Sequence, residues 1–107
     1  ISYDQFSVVD LRVGLVLTCT KVPKKDRLLQ LSVDLGEAEP RTIIAGLALT
    51  FAPEALVGRR VLVVANLAPR DFGKGLVSHG MIMAAGPSEK LVLPTIDDSV
   101  APGSKLK

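Results

Sequence analysis

The sequence of 107 residues predicts an all-β protein, a five-stranded OB-fold barrel with one short helix before strand four and a C-terminal β extension. Short segments rich in Val, Ile and Leu alternate with turn signals built from Gly and Pro, which is typical of small β domains. Only one connection between strands, residues 51–58, has the features of a helix. Closing the sheet into a barrel removes its exposed edges. An immunoglobulin-like sandwich fits less well, because it has no place for that helix. Residues 1–107 are therefore predicted to form one domain.

The first three strands follow from residue type and spacing. Residues 10–22 are rich in β-branched residues and contain Gly14, which predicts a long strand with a bulge or sharp bend. Residues 27–36 alternate apolar and polar side chains, so their leucines and valine share one face. Residues 41–48 are the predicted third strand, and residues 2–10 are expected to hold a short helical turn before the first.

The second half of the chain holds the helix and the remaining strands. Pro53 suits a first helical turn and Gly58 a helix end, which predicts the helical connection. The fourth strand, the fifth strand and the C-terminal extension are predicted over residues 59–67, 78–86 and 89–96. In the fifth strand, Met83 is expected to fill the barrel interior, whereas Met81 fits either the interior or the rim.

The composition excludes several classes of protein. Hydrophobic residues make up 48% of the chain, which argues against disorder, and no apolar run reaches the ~20 residues of a membrane-spanning helix. The one cysteine excludes an internal disulfide and a cysteine-based zinc site, so a cytoplasmic location is expected. We recognise no signal peptide. The first residue is Ile rather than Met, which suggests a domain of a longer protein.

No catalytic constellation, metal site or cofactor motif is predicted. His79 is the only histidine, and Ser78 is its neighbour on a strand, so the two side chains point to opposite faces. No ligand spacing supports a metal site of His79 with the C-terminal aspartates. Residues 73–75, Gly-Lys-Gly, lack the pattern of a phosphate-binding loop. Cys19 lies in an apolar strand and is interpreted as an inert thiol. We therefore predict a non-enzymatic protein.

Basic charge is concentrated in two loops, although the formal net charge is only +2. Residues 21–27 carry four bases and one acid, and the connection over residues 66–78 contains Arg70 and Lys74. In an OB-fold these two loops flank one face of the barrel, so their cations could form an electrostatic funnel for a phosphate backbone. Phe72 is the one aromatic placed to stack on an unpaired base. The scarcity of aromatics favours a folded RNA, recognised by shape and backbone, over serial stacking on single strands.

A family resemblance adds to this interpretation. The segments "VDLRVGLV", "KKDRLLQLSVDLG", "IIAGLA", "PEALVGRRVLVVANLAPR" and "SHGMIMAA" together resemble the tRNA-binding domain of the endothelial monocyte-activating polypeptide II type. "NLAPR" followed by "SHGM" is the most specific part. The chain is most similar to the C-terminal appendix of methionyl-tRNA synthetases and to free-standing dimeric tRNA-binding proteins.

The resemblance implies non-catalytic, largely sequence-independent tRNA binding by a cytoplasmic homodimer, as a cis- or trans-acting cofactor domain of an aminoacyl-tRNA synthetase, most simply the methionyl enzyme. Cations are expected to hold phosphates, Asn66 and Ser78 to make directed hydrogen bonds, and Met81 to shape the rim. Asp71 stands where the family has a base, which weakens the expected contact of Arg70. The predicted tRNA-binding residues are Lys24, Lys25, Arg27, Asn66, Arg70, Lys74, Ser78 and Met81.

The sequence leaves three alternatives open. The chain also resembles the CsaA-type export chaperones, which implies peptide binding in an apolar groove of the dimer. "RVGLVLT" resembles a heptapeptide linked with cytokine activity in the family, which implies an interaction module. The segments at residues 2–6 and 89–107 could also pair across a two-fold axis in a dimerisation module.

Overall fold

The computed structural model describes all 107 residues. Its elements, in chain order, are α1 (Tyr3–Ser7), β1 (Leu11–Lys21), β2 (Leu29–Asp34), β3 (Arg41–Ala45), α2 (Pro53–Leu56), β4 (Arg60–Val64), β5 (Arg70–Asp71), β6 (Val77–Ser78) and β7 (Met81–Ile82). Five strands form one antiparallel sheet in the order β3-β2-β1-β4-β7, and β5 and β6 form a separate hairpin. The sheet curls into a nearly closed barrel, which confirms the predicted OB-like fold with its short helix before the fourth barrel strand.

The two edges of the sheet, β3 and the β6–β7 segment, are joined by single hydrogen bonds rather than by a ladder. The amide of His79 donates to the carbonyl of Thr42 at 2.9 Å, and the amide of Ile44 donates to Oγ of Ser78 at 2.9 Å. The predicted fifth strand is therefore split into β6 and β7. The chain bends between them at Gly80, whose φ of 156° lies at the limit of the left-handed region.

The barrel interior is filled by one face of β2, as its alternation predicted. Its inward side chains are at most 1% exposed: Leu29, Leu31, Val33 and, just beyond the strand, Leu35. Gly14 of β1 lies against this face, and a Cβ on it would sit 2.5 Å from Cγ1 of Val33. The predicted long strand with an irregularity is found, but the pairing of β1 with β2 shifts register between Val16 and Thr18 and not at Gly14. The absence of a side chain at Gly14 thus allows β1 to pack closely against the inward face of β2.

Both short helices lie where the sequence predicts them. α1 has a capping box, in which Oγ of Ser2 accepts from the amide of Gln5 and the Gln5 side chain accepts from the amide of Ser2. α2 begins at Pro53 and buries Leu56 completely in the core. The helices have five and four residues, so neither has the length to cross a bilayer.

The C-terminal extension pairs with the barrel through isolated bridges instead of a regular strand. Ala85 bridges to Val92, and Arg12 of β1 bridges to Lys105. Beside the second bridge, the amide of Gly103 donates to the carbonyl of Val13 at 2.7 Å. The tail is therefore fastened along the first half of β1, where no other strand but β4 pairs.

The prediction that Met83 fills the barrel interior is wrong. Ile82 is the buried residue of β7, at 8% exposure, and side chains alternate along a strand. Met81 and Met83 flank it and therefore share the outer face, where they are 46% and 38% exposed.

Candidate nucleic-acid interface

The connection between β4 and β7 contains the small β5–β6 hairpin. Arg70 pairs with Ser78 and Asp71 with Val77, and the Asp71 carboxylate accepts a hydrogen bond from the amide of Gly73 at 2.7 Å. Asp71 is thus used inside the turn and makes no ion pair with Arg70. The Arg70 guanidinium lies over the ring of Phe72, 4.5 Å from its centroid, a cation–π arrangement.

The first basic loop is a compact turn between β1 and β2. The amide of Val22 donates to the carbonyl of Leu28, and the amide of Lys25 to the carbonyl of Val22. Lys24 at its tip has a φ of 62°, and Lys74 at the tip of the β5–β6 hairpin has a φ of 54°. These lysines are the two non-glycine residues with positive φ, a conformation that costs free energy. Both side chains are exposed.

A groove of about 600 Å³ lies beside the β5–β6 hairpin and reaches Leu28 at the end of the first basic loop. We call it the apolar groove, because 11 of its 15 lining residues are hydrophobic. Its lining comes from the end of the first loop (Leu28), the end of β3 (residues 44–47), the segment before and within the hairpin (Leu67, Ala68, Arg70, Phe72), the β6–β7 segment (Ser78 and residues 80–82) and, beyond it, Ala84 and Leu91.

The β5–β6 hairpin and the residue that follows the first basic loop border the same groove. Leu28 lines it directly, and the main chain of Arg27 accepts a hydrogen bond from the amide of Ala48, next to the groove residue Leu47. Arg70 lines it from the β5 side. Segments that are more than 40 residues apart in sequence thus meet at one concave surface. The convergence of the cations of both loops at this surface stays a prediction.

The arginines of the chain divide into two groups by their partners. All four ion pairs of the structure use Arg12, Arg41 or Arg60. None uses a cation of the two basic loops, whose side chains also make no hydrogen bond within the chain. The predicted RNA-binding cations (Lys24, Lys25, Arg27, Arg70 and Lys74) are therefore available to an external anion.

The paired arginines serve the barrel. The Arg41 guanidinium donates to Glu37 at 2.7 and 2.8 Å and also to the carbonyls of Ala65 and His79, which ties β3 to the chain on both sides of the hairpin. These hydrogen bonds from Arg41 hold the pKa of the Glu37 carboxyl below its usual value. The hydrogen bonds from Arg12 likewise lower the pKa of Asp10. Both carboxylates stay ionised and balance their arginines.

Asn66 and Ser78 use their polar atoms inside the chain. The Asn66 amide accepts from the amide of Asp10 at 2.9 Å and donates to the carbonyl of Val8 at 2.7 Å, which clamps the segment between α1 and β1. Ser78 is 3% exposed and bonds the amide of Ile44 and the carbonyl of Gly80. Hydrogen bonds from these two residues to RNA stay a prediction. To make them, each side chain would have to bond RNA in addition to its partner within the chain.

The other candidates are placed as follows. Met81 is half-exposed and lines the apolar groove. His79 is exposed at the rim of the barrel.

Burial raises the pKa of the Cys19 thiol, with a smaller contribution from Glu54, so the thiol is held in its unreactive protonated form. No group of three His, Cys, Asp or Glu residues is placed to hold a metal ion.

Sequence reasoning did not predict the apolar groove. Its residues come from five separate segments and show no common spacing, so no local pattern marks them. The one sequence feature that could have indicated the groove is composition. "NLA" and "MAA" place small and apolar residues just beyond strands, where turns are ordinarily polar.

The fold and the site define a class: a small OB-like barrel with two loops of unpaired cations and an apolar groove that Arg70 lines. The chain belongs to the family of putative tRNA binding domains, which it matches over residues 11–105. It is 53% identical over 107 residues to a methionine–tRNA ligase from Myxococcus xanthus, and it spans 15% of that protein's length. A tRNA-binding, non-catalytic role follows from this membership.

Two solved structures are also similar. A MetRS related protein from Pyrococcus horikoshii superposes with a TM-score of 0.90 at 33% identity, over 100% of this chain and 97% of that one. The chaperone CsaA from Bacillus anthracis str. Ames superposes with a TM-score of 0.86 at 24% identity, over 100% of this chain and 98% of that one. The second likeness shows a shared fold.

Proposed function

We propose that this domain binds tRNA largely without regard to sequence and supplies it, in cis or in trans, to an aminoacyl-tRNA synthetase in the cytoplasm, with the methionyl enzyme as partner. The observation that carries the proposal is that none of the six cations of the two basic loops has an intramolecular ion pair, whereas Arg12, Arg41 and Arg60, which hold the barrel together, each have at least one. The methionine–tRNA ligase relatives, of which the chain spans about 15%, support the choice of enzyme.

In this proposal the loop cations contact phosphates, and the clamps made by Asn66 and Ser78 hold the hairpin in position. Phosphate contacts give affinity and little sequence information, which fits a domain that serves tRNA in general. Tethering a synthetase to such a domain needs only modest affinity, because the effective concentration of bound tRNA multiplies a weak contact.

A titration with bulk tRNA at two ionic strengths tests the function. Because each phosphate contact releases counterions, we expect the affinity to fall steeply between 50 and 200 mM salt, by about tenfold or more for three contacts. Unfolded polypeptide is added as competitor. Affinity for tRNA that does not change with salt, or competition by unfolded polypeptide that persists in high salt, would contradict the proposal and favour a peptide-binding chaperone.

The homodimer is a second part of the proposal. α1 and the residues after it expose apolar side chains that a monomer would leave in water, among them Tyr3 (79%), Phe6 (39%) and Val8 (71%). Burial of such a patch between two copies would stabilise a two-fold dimer. We expect a dimer in sedimentation at micromolar concentration, and a monomer there contradicts this part.

A further inference from the structure

We propose that the apolar groove binds one unpaired nucleobase of the RNA while Arg70 holds the adjoining phosphate. The proposal rests on the tRNA-binding function and names the part of the RNA that this site accepts. A contact of the loop cations with phosphates alone would need only a flat charged surface. The groove beside Arg70 offers about 600 Å³, within the range of about 300–1,000 Å³ that is usual for small-molecule sites.

The groove has the chemistry of a site for a flat apolar group. Leu47, Leu67, Met81 and Leu91 contribute apolar side chains to its lining. Phe72 adds an aromatic ring, and Arg70 lies over that ring. Nucleobases stack on aromatic rings and guanidinium planes and pack on apolar side chains, with a gain of about 1–3 kcal/mol per base.

The groove also offers free main-chain groups. Gly46 lines it, and neither its amide nor its carbonyl makes a hydrogen bond within the chain. The reason is that β3 ends at Ala45, while the bonds that join the sheet edges stop at Ile44. The amide and carbonyl of one residue can form two hydrogen bonds with the edge of a base. Any base that presents both a donor and an acceptor on that edge can make them.

Charge selects a nucleotide over a peptide as the occupant. No carboxylate lines the groove, and its one charged residue is Arg70, which has no ion pair. Each nucleotide joins a flat apolar face to a phosphate. An unfolded polypeptide offers apolar side chains without an obligatory negative charge beside them. The pairing of an apolar groove with a free cation therefore complements an unpaired nucleotide best.

Filling the groove tests the proposal without touching any cation. Ala84 lines the groove and is exposed, so Ala84→Phe places a ring in the base site; Ala85→Phe makes the same change one residue later, outside the groove. We expect Ala84→Phe to weaken binding of an unstructured RNA hexamer at least tenfold. Binding of a blunt RNA duplex, whose bases are already paired, should change less than twofold. Ala85→Phe should leave both within twofold.

A second variant guards against misfolding. Gly46→Leu fills the same groove, and a Cβ at Gly46 meets only the carbonyl of Arg27, at 4.0 Å. Unchanged hexamer binding in both filled variants overturns the inference, even where tRNA still binds through Arg70. Failure of the unsubstituted chain to bind tRNA overturns the proposed function itself. Salt-resistant binding of unfolded polypeptide that either filled variant abolishes also overturns the inference, because the groove would then be a peptide site.

Discussion

Replacing Arg27 and Arg70 with alanine is expected to weaken tRNA binding about tenfold each and about a hundredfold together at 0.1 M salt. Neither side chain is paired with a carboxylate, and a contact with a phosphate is worth about 1.5 kcal/mol or more. The losses should be alike for different tRNAs, because phosphate contacts carry no sequence information. Filter binding with several purified tRNAs measures both expectations.

The matched control for this experiment is Arg59→Ala. It removes the same charge, but Arg59 lines a different depression with Pro94, Ile96 and Asp98. We expect less than a twofold change from it. An equal loss in all three single variants would mean that net charge, and not the groove, controls affinity. A loss confined to one tRNA would point to base-specific recognition.

The second large effect concerns the C-terminal tail. Gly103→Ala is expected to lower the free energy of unfolding by about 3 kcal/mol or more. The residue has a φ of 88°, which costs alanine about 1–2 kcal/mol, and the added Cβ would lie 2.5 Å from the carbonyl oxygen of Leu35. The tail must then move off β1, breaking the hydrogen bond from the Gly103 amide to Val13. Urea unfolding followed by circular dichroism measures the loss.

Gly58→Ala separates the two causes. Gly58 has nearly the same φ, 85°, but nothing lies within 4 Å of the site of its Cβ. Only the backbone cost applies there, so we expect a loss of about 1 kcal/mol. Equal losses at the two glycines would show that the tail is not packed tightly against the turn after β2.

Much of the fold was predictable because the apolar alternation of β2 and the helix signals at Pro53 are local properties of the sequence. Met83 was misplaced because the alternation of side chains along a strand does not say which set faces inward. Here the inward position is Ile82. The split of the fifth strand also escaped prediction. At the split, Ser78 is hydrogen-bonded to Ile44, which lies 34 residues away in the sequence, so no local pattern marks it.

The site was predictable only in part. Charge clustering and the order of strands in an OB-fold predicted the hairpin that holds Arg70 as one side of the site, and Arg70 lines the apolar groove. The sequence could not show that Arg70 is free of an ion pair, because the neighbouring Asp71 is a carboxylate that could form one. The structure shows that Asp71 bonds the amide of Gly73 instead. The apolar groove could not be predicted either, since it exists only once five segments have come together.

The central claim is that cations from two distant loops hold one RNA at the same time. Its most direct test is the slope of log Kobs against log salt for tRNA binding, compared between the unsubstituted chain and the Arg27→Ala/Arg70→Ala double variant. Each lost phosphate contact lowers the slope by about 0.7–0.9, so the account predicts a decrease of about 1.5 in the double variant. An unchanged slope, or a decrease that Arg70→Ala alone reproduces in full, would contradict it.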